Sequence, residues 1–288
     1  MSYDRGDTHP VKPGQFFEIS IPKYGEAPIS VSGITDHSLD FTIRRVGSLT
    51  EEIFENYVGG HFFMRGPYGN GFDVNIFKGK EIVLITGGSG LSPVHGVIDY
   101  FADHMDECKS LNIISGFKSP DDILFRDDLK RWIADGMNFI YTVDAAPEGY
   151  EGNVGLVTQY IPQLPLKDFD NAIAVVVGPP MMIKFSIQEL LKIGFDEEKI
   201  WLSESRKMCC GLGKCGHCRI GELKVVVSPV AQIRIGMHVH VDNALQRYFV
   251  HVSASSPCKL FLGKFTRILP CVSSMFQYIL HLLFRKRL

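Results

Sequence analysis

Ile82–Ile85 is an uninterrupted apolar run, and it feeds directly into Thr86-Gly87-Gly88-Ser89-Gly90-Leu91-Ser92-Pro93. Beyond the prolines and glycines, Val94, Val97, Ile98, Phe101 and Met105 recur at helical spacing. A four-residue run with no polar alternation predicts a parallel strand buried on both faces. The glycines then let the chain reverse sharply into a helix, whose first turn offers unpaired N–H groups and positive dipole to a phosphate. The turn has the form G-x-G-x-x-P, and by itself it is also compatible with a tight packing corner. Leu111–Ser115, Phe139–Val143 and Ile173–Val177 repeat the buried-strand pattern, with helical stretches at Asp127–Asp135, Leu156–Ile161 and Met181–Ile193. Alternating strands and helices predict a doubly wound parallel sheet. Val177-Gly178-Pro179-Pro180-Met181 follows the last of these strands, so it falls on the same carboxyl edge as the 87–93 turn. That edge is where open parallel sheets bind ligands, although proline early in a helix is also a favourable rigid connection.

Residues 11–75 read differently. Pro13-Gly14 marks a turn, Gln15–Ile21 alternates as a strand, and Ile29–Gly33 and Leu39–Val46 are further strands. Thr50–Tyr57 is expected as a short helix capped by Ser48 or Thr50. Strands at this spacing predict a small antiparallel barrel. In it, Ala27-Pro28-Ile29-Ser30 and Arg44-Arg45-Val46-Gly47-Ser48-Leu49-Thr50 place a strand-end serine near a basic, glycine-containing loop. Such a pair can hold a flavin and its pyrophosphate; taken alone, it also describes a solvated strand end.

The third feature is Cys209-Cys210-Gly211-Leu212-Gly213-Lys214-Cys215-Gly216-His217-Cys218. Four of the seven cysteines fall in these ten positions. Cys210, Cys215 and Cys218 have C-x4-C-x2-C spacing, three ligands of a plant-type [2Fe–2S] set. Glycines can wrap a loop tightly and aim N–H groups at cluster sulfurs. The competing readings are a zinc site including His217, which normally uses C-x2-C pairs, and buried structural thiols. An odd cysteine count and the lack of an export signal argue against disulfides and for a reducing, cytoplasmic setting.

At 288 residues the chain has room for two domains and an appendage. A net charge of −2 gives no basic footprint for nucleic acid or a membrane surface. No Ser/His/Asp triad, H-E-x-x-H or P-loop is present. After Pro229 the pattern loses organisation, Lys224–Val227 being the last expected strand. Ile268–Phe284 is apolar but too short and too interrupted for a membrane anchor.

Taken in order, these motifs resemble the ferredoxin–NADP reductase superfamily, in the branch holding the anaerobic sulfite reductase B, dihydroorotate dehydrogenase electron-transfer and sulfhydrogenase gamma subunits. Pro13-Gly14-Gln15-Phe16, Ala27–Ser30, Gly66-Pro67-Tyr68-Gly69, Gly88–Pro93, Gly178-Pro179-Pro180 and the cysteine loop carry the resemblance, over roughly residues 10–221. The cysteine loop looks most like the sulfite reductase branch. The resemblance implies an α/β plus all-β chain. Residues 1–78 would be an FAD-binding β-barrel lacking its first strand, and 79–202 an NAD(P)-binding α/β domain. Residues 203–222 would be a [2Fe–2S] segment and 223–288 an atypical tail. Pro28, Ile29 and Ser30 would line the flavin, and Arg45, Gly47 and Thr50 would hold its pyrophosphate. Gly88, Gly90, Leu91, Ser92 and Pro93, with Gly178 and Pro179, would form the pyridine-nucleotide site. Cys210, Cys215 and Cys218 would be cluster ligands. The superfamily's Arg-x-Tyr-Ser is altered by Ala27 and Ile29, Val177 stands where a cysteine is frequent, and the family's fourth cysteine, followed by Asp-Gly-Pro, has no counterpart after Gly221. From about residue 222 the chain departs from the family, as a divergent or frame-shifted C-terminus would. The implied activity is electron transfer from NADH or NADPH through FAD and the cluster to the catalytic and iron–sulfur subunits of a sulfite reductase, dihydroorotate dehydrogenase or hydrogenase. NADH is expected over NADPH, because Gly116-Phe117-Lys118-Ser119 supplies a single basic residue for a 2′-phosphate.

Overall fold

The computed structural model describes residues 11–36, 38–203, 208–220, 223–224 and 249–252, all within one compact unit spanning 1–258. Cys258, Cys271, the apolar stretch 268–284 and most of the expected 224–227 strand lie outside the described residues.

The first half forms a five-stranded antiparallel sheet in the order β13-β3-β2-β1-β4. Its strands are β1 (Phe16–Ile21), β2 (Gly25–Ile34), β3 (Leu39–Arg44) and β4 (Phe63–Tyr68), with β13 (Phe249–Val252) arriving from the far end of the chain to pair with β3. Helix α1 (Ser48–Asn56) connects β3 to β4. Alternation sorts β1 cleanly. Phe17, Ile19 and Ile21 enter a core with Val31, Leu39, Phe41, Ile43, Leu49 and Ile53, whereas Phe16 and Glu18 face the other way. Sequence periodicity missed β4, because Phe-Met-Arg-Gly-Pro-Tyr has no alternation. Its Pro67 is tolerated at the edge of the sheet, where a missing N–H costs no ladder bond.

The second half is a six-stranded parallel sheet, β10-β9-β5-β6-β7-β8. It comprises β5 (Glu81–Gly87), β6 (Ser110–Phe117), β7 (Asn138–Val143), β8 (Asn153–Val154), β9 (Ala172–Val177) and β10 (Ile200–Ser203). Helices α2 (Leu91–Asp103) and α3 (Arg126–Ala134) lie on one face, α4 (Pro180–Lys192) on the other. The apolar run of β5 has its reason here. Ile82 and Leu84 pack with Leu91, Val97, Ile98 and Trp132, and Val83 and Ile85 pack with Ile183, Ile187 and Leu190. The expected helix at Leu156–Ile161 is instead two single 3₁₀ turns, Val157–Gln159 and Ile161–Gln163. Pro162 lacks the N–H that an α-helix through this stretch needs. The two minor strands β11 (Arg219–Ile220) and β12 (Leu223–Lys224) pair with each other.

His95 ties α2 to α3. Its ring is 8% exposed, 3.0 Å from Asp99 and 3.0 Å from Asp128, and Arg131 pairs with both carboxylates. Phe125 and Trp132 pack on the imidazole. Burial draws the His95 pKa down, but the hydrogen bonds and charges of Asp128 and Asp99 outweigh it and hold it up, to about 9. A pKa raised above its unfolded value of 6.5 gives stability that is complete below pH 6.5 and lost as pH rises through 9. The loss across that window is expected to be at most about 3 kcal/mol. It should show in urea midpoints taken at pH 6 and pH 9.5, and His95→Gln should flatten it; equal pH slopes in the two proteins would refute the assignment.

Candidate functional site

The strand order places the topological switch point between β5 and β9, whose following helices leave on opposite faces of the sheet. The crevice beyond their carboxyl ends is therefore lined by Gly87–Pro93 and Gly178–Pro180. Three glycines there have three different reasons. Gly88 adopts φ +54 with open space around it. A β-carbon on Gly87 would meet the end of the Met182 side chain at 2.5 Å. A β-carbon on Gly90 would stand 2.3 Å from the backbone oxygen of Val177, so only a bare α-carbon lets α2 start this close to β9. No side chain caps α2; the Leu91 N–H is taken by the Gly88 and Ser89 carbonyls and Pro93 has none, so of the first three residues Ser92 is the one whose N–H is left to face an anion. Leu91 and Ser92 are buried in that turn, and the Ser92 hydroxyl is buried without a partner. Pro179 precedes α4 in extended conformation and Pro180 begins the helix, which fixes the second lip of the crevice. These groups fit a pyridine dinucleotide.

Helix α2 also packs against β2, and a β-carbon on Gly96 would stand 3.3 Å from Pro13. The nucleotide crevice thus adjoins the strand bearing Pro28, Ile29 and Ser30, which pair in register with Glu18, Phe17 and Phe16 of β1. Ser32 on the same strand has a buried hydroxyl with no partner. The Arg45–Thr50 loop departs from the expected roles. Neither Ser48 nor Thr50 is the cap of α1; Gly47 occupies that position, extended and unhindered. The Thr50 hydroxyl accepts from Val46 and Gly47 N–H at 2.9 and 3.0 Å and donates to the Gly47 carbonyl at 2.9 Å, so it is spent on closing the loop. Arg45 is paired with Glu55. What remains for a pyrophosphate is the uncapped first turn of α1.

The cysteine loop lies on the outer face of β1 and β4. Gly211, Gly213 and Gly216 all have positive φ, and a β-carbon on Gly211 would stand 2.7 Å from the Tyr68 ring. Cys210 and Cys215 are brought together. The Leu212 N–H points at the Cys210 sulfur at 3.4 Å. The His217 backbone N–H, helped by the Cys210 thiol and by backbone groups of Cys210 and Cys215, holds the Cys215 thiol below its usual pKa. Cys218 is seated apart, 2% exposed among Phe16, Tyr68 and Met208. Among the described residues, no three His, Cys, Asp or Glu side chains converge as ligands of a single metal ion. In donor type and backbone the loop fits an iron–sulfur group, with the Cys210 and Cys215 sulfurs brought together and Cys218 buried apart from them. His217, which a zinc reading would recruit, is exposed.

Sequence reasoning missed two residues here. Arg65 bonds to the Cys209 and Cys210 carbonyls, and Glu18 is buried beneath the loop with neither carboxyl oxygen partnered. Glu18 interrupts the otherwise apolar start of β1, and that was its only signal in the sequence.

Comparison with known proteins agrees with this architecture. Residues 84–188 match the oxidoreductase NAD-binding domain. The chain is 37% identical over 224 residues to sulfhydrogenase 2 subunit gamma of Pyrococcus furiosus, covering 73% of this chain and 77% of that one. It is 31% identical over 217 residues to a probable dihydroorotate dehydrogenase B (NAD(+)) electron transfer subunit of Thermoplasma volcanium, covering 75% and 76%. Among solved structures, an NADH-dependent reduced ferredoxin-NADP oxidoreductase superposes with TM-score 0.58 at 23% identity, over 73% of this chain and 71% of that one. A ferredoxin NADP+ reductase of Neisseria gonorrhoeae superposes with TM-score 0.57 at 18% identity, over 69% and 88%. Among the described residues no helix is long and apolar enough to cross a membrane. The fold is that of the ferredoxin reductases, and with relatives of this identity and coverage the chain is an oxidoreductase and belongs to the family of the sulfhydrogenase gamma and dihydroorotate dehydrogenase B electron transfer subunits.

Proposed function

We propose that the protein is the NADH-oxidising electron-transfer subunit of a larger complex, using FAD and a [2Fe–2S] cluster. The observation that carries this reading is an adjacency. The uncapped start of α2 faces the crevice at β5 and β9, α2 packs on the strand of Pro28–Ser30, and the cysteine loop is docked on the same sheet. When bound, the two cofactors would supply hydride acceptance and one-electron relay. The chain's own work is positional. Gly88, Gly90 and the first turn of α2, with Leu91, Ser92 and Pro93, would hold the dinucleotide phosphates, while Gly178 and Pro179 shape the far lip. Pro28, Ile29 and Ser30 would line the flavin, with the start of α1 after Arg45 and Gly47 taking its pyrophosphate and Thr50 keeping that loop closed. Cys210, Cys215 and Cys218 would hold the iron–sulfur group. Residues 1–78, 79–202 and 203–222 then correspond to the flavin, nucleotide and cluster segments, with 223–288 as a tail that returns one strand to β3.

NADH is favoured over NADPH because Lys118 is the single basic residue of the Gly116–Ser119 turn and lies near Asp144, while Ser119 is engaged by Asp122 at 2.6 Å and Arg126, further on, is tied to the Pro120 carbonyl. For the partner, the relatives point to a catalytic subunit of hydrogenase or dihydroorotate dehydrogenase type. A sulfite-reductase-type partner is the second reading, supported by the form of the Cys209–Cys218 motif.

The test is an absorption spectrum of the purified protein with flavin, iron and zinc analysis, followed by oxidation of NADH and NADPH with an artificial acceptor. Bound FAD, iron and a preference for NADH are expected. A colourless protein with one zinc per chain would overturn the reading.

A further inference from the structure

Arg65 sits on the edge strand β4, directly opposite Glu18 of β1. Its guanidinium has five N–H donors, and every one has an acceptor. Nε and Nη2 form a fork on the Glu26 carboxylate at 2.9 and 2.6 Å. Nη1 reaches the Cys210 carbonyl at 2.7 Å and the Tyr68 hydroxyl at 3.0 Å. Nη2 also reaches the Cys209 carbonyl at 3.1 Å. The same group lies 5.3 Å from the Tyr68 ring centre, and Gly211 comes so close to that ring that a β-carbon there would stand 2.7 Å from it. Glu26 belongs to β2, two residues before Pro28.

We propose that Arg65 is the positioning residue that locks the cysteine loop to the flavin strand, joining Glu26 of β2 to the backbone of Cys209 and Cys210 through a single saturated guanidinium. The proposal rests on the electron-transfer reading above for its consequence, though not for its geometry. Two properties of arginine matter separately. The planar guanidinium grips the Glu26 carboxylate and the two loop carbonyls at once, which lysine cannot do with a single ammonium. The positive charge sits beside the residues that would carry a group gaining an electron, and it favours the reduced, more negative state.

The experiment uses the full-length chain as wild type, Arg65→Lys, Arg65→Gln and Glu26→Gln. In protein stripped of iron by chelation, iodoacetamide labelling is followed cysteine by cysteine by mass spectrometry. Wild-type Cys218 is expected to label slowly because Phe16, Tyr68 and Met208 cover it. Arg65→Gln and Arg65→Lys should speed its labelling tenfold or more, and Glu26→Gln, which keeps the arginine and loses only the carboxylate fork, by less. In iron-loaded protein the reduction potential of the cysteine-held group should move negative in Arg65→Gln and remain near wild type in Arg65→Lys. A merely structural role would not separate those two variants. Cys218 labelling at the wild-type rate in all three variants would overturn the proposal, and so would equal potentials in Arg65→Gln and Arg65→Lys. Should iron fail to bind even wild type while the labelling differences persist, the functional reading falls and the lock stands.

Discussion

Gly90→Ala is expected to abolish dinucleotide binding and to cost on the order of 3 kcal/mol of stability. The added carbon would stand 2.3 Å from the Val177 oxygen and 2.9 Å from its carbonyl carbon, backbone against backbone, with no side chain able to yield. Relief requires α2 to back away from β9, which opens the crevice that the helix terminus is meant to close. Gly87→Ala makes the informative control. Its new carbon meets chiefly the Met182 sulfur at 2.5 Å, on a flexible side chain that can change rotamer, and touches the Pro179 ring at 3.0 Å, where a shift of a few tenths of an ångström suffices. Melting temperature together with NADH titration separates the two: Gly87→Ala should retain binding with a small loss of stability. If Gly90→Ala bound NADH with wild-type affinity, the close approach of α2 to β9 would not be what shapes the site.

The second large effect is a substitution that stabilises. Glu18 is 1% exposed, and burial pushes its carboxyl up to about 7, with Arg65 opposing and the charges of Glu26 and Cys210 adding. Between pH 4.5 and 7 the folded state thus binds more protons than the unfolded chain, so stability falls as pH rises through that interval. The full penalty above pH 7 is roughly 3 kcal/mol. Glu18→Gln mimics the neutral acid and removes the ionisation, so it should match wild type near pH 4.5 and exceed it by up to about that amount at pH 8. Chemical denaturation at both values measures this, and a constant offset between the proteins at both would show that Glu18 does not titrate as described. Glu18→Gln should also leave the Arg65 contacts intact, because Glu18 is not among Arg65's hydrogen-bond partners.

These expectations differ in how far they could be read from the chain itself. Ile82–Ile85 could be assigned as a strand buried on both faces because a polar residue anywhere in the run would have been stranded. The placement of Gly87–Pro93 and Gly178–Pro180 on one edge followed, since parallel strands share a carboxyl end. The cysteine loop was legible because glycine at positive φ and C-x4-C-x2-C spacing are local properties. What failed was also local in origin. The 156–161 stretch has helical spacing, but Pro162 converts it to 3₁₀ turns. Thr50 has the chemistry of a phosphate ligand, yet its hydroxyl closes its own loop.

By itself, then, the sequence determined the two kinds of sheet, the edge of the parallel sheet that holds the crevice, and the loop that gathers the cysteines, because each depends on residues within a few positions of one another. Only the tertiary structure decided which glycine is sterically obligatory, that Glu18 is buried with no partner, that residues 249–252 pair with β3, and that Arg65 holds a loop 145 residues away. Each of these depends on what another part of the chain places within a few ångströms, and neither spacing nor composition carries that information.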